Sequence, residues 1–164
     1  MSRYLFIVAT IALFSGAAYA AKAHVHGTGS LDVVIDRGQI TLSLELPLDV
    51  AVGFERAPKS ENEKAALAAT EKTLHDAAAL FIPTTTANCT PQSVKVEMPN
   101  SSGGEHADID ATYSFSCATP AQLKSIETTI FKHFKRLYRL ETRRVGPGNQ
   151  GAARLSPKQP TLSW

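Results

Sequence analysis

Beyond its first twenty residues the chain has no apolar run that could enter a membrane, no Cys-x-x-Cys pair and almost no excess of charge. The first absence argues against a spanning helix, which needs roughly 20 apolar residues, and leads to the expectation of a soluble mature chain. The second argues against a thiolate metal site, because Cys89 and Cys117 stand far apart. The formal charge of +2 falls to +1 without Arg3, which gives no reason to expect nucleic acid as a partner. Lys132, Lys135, Arg136, Arg139, Arg143 and Arg144 do form a basic stretch. Glu141 interrupts it and no aromatics interleave it, so it reads as a solvated face. Also missing are a Gly-x-Ser-x-Gly elbow, a phosphate-binding glycine loop and a His-Glu-x-x-His helix. The expectation is a protein that is not an enzyme.

The N-terminus supplies the compartment. Arg3, an apolar run from Tyr4 to about Phe14 and the ending Ala18-Tyr19-Ala20 are the parts of a secretory signal peptide. Residues 1–20 are thus expected to be removed on export to the periplasm. About 144 residues then remain as 21–164, which suits one domain with a modest core. Two cysteines in an oxidising compartment favour a single disulfide, Cys89 to Cys117.

Apolar patterning gives the elements. Leu31, Val33 and Ile35 alternate with polar neighbours, as do Ile40, Leu42, Leu44 and Leu46, with a turn at Asp36–Gln39 between them. Ser60 and Glu63 have capping-box spacing, and Ala-rich sequence predicts a helix to about Leu80, with Leu67, Leu74, Ala78 and Phe81 on its apolar side. Val94 and Val96 pair in outline with Ile109, Ala111, Tyr113 and Phe115 across a turn at 99–104. Thr119, Pro120 and Gln122 predict the start of a second helix with Leu123, Ile126, Ile130, Phe131 and Phe134 buried. Strands near 138–144 and 152–155 follow, around Gly146-Pro147-Gly148. The expected fold is α+β: a mostly antiparallel sheet built from three hairpins, with two helices packed on one face.

Metal chemistry is carried by two short motifs. In His24-Val25-His26-Gly27, residues two apart on an extended chain point to one side, so both imidazoles could reach one ion. In Glu105-His106-Ala107-Asp108 the same spacing joins His106 and Asp108 on the polar face opposite Ile109. Two such pairs on neighbouring strands would offer three nitrogens and a carboxylate, donors that zinc takes tetrahedrally. Glu55, at the corner Gly53-Phe54-Glu55, either caps a helix or completes the site, and Glu105 is open as a further ligand. His75 and His133 read as solvated. Against the metal reading stands a protein-interaction or inhibitor module with incidental histidines. Cleavage after Ala21 would instead make His24 the third residue, a chelate for copper(II) or nickel(II).

Taken in order, these segments resemble the ZrgA-like periplasmic zinc-binding proteins. The matching pieces are the signal peptide with His24-Val25-His26-Gly27, Glu45-Leu46-Pro47, Gly53-Phe54-Glu55 with Ala57-Pro58, Ala87-Asn88-Cys89, Glu105-His106-Ala107-Asp108 and Tyr113-Ser114-Phe115-Ser116-Cys117. The resemblance implies zinc capture in the periplasm beside an inner-membrane zinc importer, with His24, His26, His106 and Asp108 as the metal residues. Arg56 stands where the family often has a further histidine. The long His/Asp-rich loop of some members is reduced to Asn100-Ser101-Ser102-Gly103-Gly104, which leaves at most one or two sites.

Overall fold

Strict period-2 alternation starts the described chain as a hairpin of β1 (Thr28–Asp36) and β2 (Gln39–Pro47). Arg37 and Gly38 both take positive φ, giving the two-residue turn whose twist matches that of the flanking strands. The computed structural model describes residues 25–99 and 107–164. The expected signal peptide, His24, Glu105, His106 and the loop 100–104 lie outside these residues. After β2 come the short helix α1 (Leu48–Val52), α2 (Glu61–Leu74), α3 (Ala77–Leu80) and β3 (Phe81–Pro83). Next are β4 (Cys89–Glu97), β5 (Asp108–Cys117), β6 (Ser125–Thr128) and α4 (Ile130–His133). The last elements are β7 (Arg139–Gly146), β8 (Asn149–Leu155) and β9 (Thr161–Ser163). No helix among the described residues is long and apolar enough to cross a membrane.

The three expected hairpins join into one six-stranded sheet of order β4-β5-β2-β1-β7-β8. Every pairing is antiparallel except β1 with β7. One face is apolar throughout: Leu31 and Val33, then Ile40, Leu42, Leu44 and Leu46, then Ile109, Ala111, Tyr113 and Phe115 are all buried. They form one core with Leu74, Leu80, Phe81, Leu123, Ile126, Ile130, Phe134, Leu137 and Leu162 from the covering layer. Cys89 and Cys117 sit opposite each other across β4 and β5 and are joined by a disulfide, as expected.

The α+β class and the mostly antiparallel sheet stand, but the covering layer is not two helices. It holds four helices, all but α2 only about one turn long, and a second sheet of order β3-β6-β9. The expected second helix is a 3-10 turn at Pro120–Gln122, a strand and the single turn α4. The β-branched residues Ile126 and Thr128 favour extended backbone. Strand pairing with β3 and β9 satisfies that backbone from both sides. The first helix also stops early: Asp76 accepts from Ala79 N at 3.1 Å and starts α3 afresh, so Ala77 and Leu80 are buried and Ala78 is not.

One residue of the basic stretch is not solvated. Along β7, Leu140, Thr142 and Arg144 all fall on the inner side, and Arg144 is only 5% exposed. His75 and His133 are exposed, in line with expectation.

Candidate metal centre

Three strand ends meet where β1 begins, β2 stops and β5 begins. Pro47 is the last β2 residue in register with β5, opposite Asp108, and Leu48 N donates to Ala107 O at 2.9 Å. The chain then turns through α1, which Gly53 closes in the left-handed conformation at φ 88°. A side chain at Gly53 would collide with the Arg136 guanidinium, so a cation borders this end.

His26 reaches the same end by a turn and not by extended alternation. Thr28 N donates to Val25 O at 3.0 Å, and Gly27 takes φ 77°, a conformation few other residues adopt. The Gly27 carbonyl accepts from Tyr138 N and Arg139 N, which ties the turn to the start of β7. The Gly27 turn ends the backward extension of β1 at His26, and His24, the other half of the expected pair, lies outside the described residues.

The side chain of His26 is 89% exposed, and its Nδ1 lies 2.9 Å from Asp49 Oδ2. This hydrogen bond, and then the charge of Asp49, raise the imidazole pKa above its ordinary value, with Glu55 adding to the effect. The other ring nitrogen, Nε2, makes no hydrogen bond to a described residue. An imidazole held through Nδ1 by a carboxylate is the arrangement that fixes ring orientation in histidine metal ligands. Asp49 was missed in the sequence: it lies 23 positions from His26, and no local spacing connects them.

Glu55 stands on a braced corner. Arg56 donates to both oxygens of Glu63, at 2.7 and 3.1 Å, and its guanidinium lies 5.2 Å from the Phe54 ring centroid. The Glu63 carboxylate also accepts from Lys59 N, while Glu63 N donates to Ser60 Oγ at 3.2 Å. The bonds to the carboxylate, first that from Arg56 and then that from Lys59 N, hold the Glu63 carboxyl down to about 2. Arg56 therefore fastens the corner to α2. A cavity of about 320 Å³ lies beneath it, lined by Leu48, Glu55, Arg56, Leu67, Met98 and Ala107.

A row of carboxylates crosses the exposed sheet face two residues from Asp108. Glu45 of β2, Asp110 of β5 and Glu97 of β4 are in register. Partial burial, and then the charges of Glu45 and Glu97, push the Asp110 carboxyl above its ordinary range. Among the described residues no group of three or more His, Cys, Asp and Glu side chains is placed to hold a metal ion. Of the expected ligands the structure thus places His26, Glu55 and Asp108, and it couples His26 to Asp49.

These features define a small α+β domain with imidazole and carboxylate donors at one end of its main sheet. The chain belongs to the ZrgA family of zinc uptake proteins, whose family model matches residues 23–164. A search of curated proteins finds no match. A zinc-related role follows from that membership.

Proposed function

We propose that the protein captures zinc, as cargo, in the periplasm and serves as an accessory to zinc uptake or buffering beside an inner-membrane importer. The observation that carries this reading is the His26–Asp49 pair at the start of β1, because it orients an exposed imidazole with Nε2 open to an ion. The donor chemistry suits zinc: neutral imidazole and carboxylate oxygen. His26 supplies one ligand, and His24, His106, Asp108 and Glu55 are the candidates for the rest. Asp49 positions His26. The acidic row on the neighbouring strands adds negative potential that favours a divalent cation over an anion. The periplasm is supported by the signal-like N-terminus and the disulfide. No catalytic role is proposed for these residues.

Zinc content and affinity test the proposal, compared between the mature protein and a His24→Ala/His26→Ala/His106→Ala variant. About one zinc per chain is expected, lost in the variant while the fold persists. Asp49→Asn is expected to weaken zinc by about 10- to 100-fold, the cost typical of losing a residue that orients a ligand. Equal zinc affinity in the triple variant and the wild type would overturn the imidazole site. Protons compete for the same nitrogens, so affinity should fall between pH 7 and pH 5.

A further inference from the structure

The far end of the main sheet holds a second cavity, of about 460 Å³, whose lining includes Arg37, Lys124, Arg144, Asn149, Leu123 and Trp164 and no Asp or Glu side chain. We propose that this cavity binds a small organic oxyanion, a carboxylate or a phosphate ester, with Arg144 as its anchor.

The argument starts from an inverted pattern of ion pairing. Arg56, Arg139, Arg143 and Arg154 are 44 to 74% exposed, and each has a carboxylate within 3.4 Å. Arg144 is 5% exposed and makes no ion pair with a described residue. The only hydrogen bond its side chain makes to those residues is to the neutral Asn149 Oδ1, at 2.7 Å. A guanidinium has five donors and is costly to bury without a counter-charge. The fold nevertheless holds it in place: its Cζ lies 4.9 Å from the centroid of the Trp164 ring, and Gly146 leaves the space that any side chain would take from it. Trp164 is fixed in turn, because its backbone N donates to Lys124 O at 3.3 Å and β9 pairs with β6. Arg37 at the rim is partly neutralised by Asp36, 3.4 Å away, whereas Lys124 has no carboxylate partner among the described residues.

A planar fork of donors matches the paired oxygens of a carboxylate or phosphate. The rest of the lining, Leu123, Trp164, Ile35 and Pro147, is apolar or aromatic and suits a hydrophobic body on the ligand. The site is separate from the proposed zinc end, since it forms where β1 and β7 finish and β8 begins.

Trp164 is the only tryptophan in the chain, so its fluorescence reports on this cavity alone. The probes are phenyl phosphate, benzoate, inorganic phosphate and, as the neutral control, benzyl alcohol. A saturable fluorescence change with phenyl phosphate or benzoate, weakened by added salt, is expected. A comparable response to inorganic phosphate would identify the free oxyanion as sufficient and the apolar body as dispensable. Arg144→Gln should weaken binding at least about tenfold. Lys124→Gln, at an exposed position, should weaken it a few-fold, and it carries the test if Arg144→Gln fails to fold. No saturable change with any anion up to about 10 mM would overturn the proposal. So would equal binding of benzyl alcohol, or wild-type affinity in Lys124→Gln and a folded Arg144→Gln. None of these readings uses zinc, so failure at this cavity leaves the metal proposal standing.

Discussion

Two polar side chains meet opposite circumstances: the exposed imidazole of His26 has a carboxylate, and the buried phenol of Tyr113 has no partner among the described residues. For His26 the folded pKa is raised, so the protonated ring is favoured by folding. The resulting stability is fully present below the unfolded pKa and is lost as pH rises through the folded one. An NMR titration should therefore place the His26 midpoint above about 6.5, and Asp49→Asn should bring it back down. A midpoint unchanged by Asp49→Asn would separate the two residues in solution. Tyr113 is fully buried, with its ring edge-on to Phe81 at 4.9 Å, and burial raises its phenol pKa. A hydroxyl without a partner costs free energy that phenylalanine does not incur. Tyr113→Phe should leave stability unchanged or raise it by about 1 kcal/mol in urea unfolding. A clear loss would reveal a hydrogen bond to the hydroxyl.

Among elements, α2 depends most on its ends. Only Thr70 and Leu74 are buried along its length, so packing contributes less than usual. Ser60→Ala should cost about 1 kcal/mol, and Glu63→Gln should also release the corner that carries Glu55. The loss from Glu63→Gln should be present at neutral pH and disappear as acid takes the wild-type carboxylate through about 2, because its folded pKa is depressed. Thermal melts at pH 7 and pH 2 test this. The capping box was legible in four residues, as were β1, β2, β5 and β7, because a half-buried strand shows its period directly. The 119–134 segment was not legible. Ile126, Ile130 and Phe134 satisfy helical spacing, and only partners more than 30 residues away decide for a strand. Arg144 was readable in principle: continuing the Leu140, Thr142 alternation by one step puts it inside, but the surrounding run of charge suggested solvent. Asp49 had no such signal, since its meeting with His26 is set by where β1 starts and β2 ends.

For the whole molecule, the disulfide fastens the edge strand β4 to β5 across a separation of 28 residues. In the chain-entropy account, reduction should remove about 3–4 kcal/mol of stability, measurable as a lower denaturant midpoint with reductant. The parallel ladder between β1 and β7 has a further consequence, and it concerns time. Residues 28–34 are among the first described, yet one of their two neighbours is residues 139–145. The sheet cannot be completed on a partly synthesised chain. Until the last quarter arrives, β1 is an open edge and its hairpin with β2 lacks one flank. Long-range pairing of this kind slows folding towards the millisecond-to-second range, which lengthens the interval before that edge is covered.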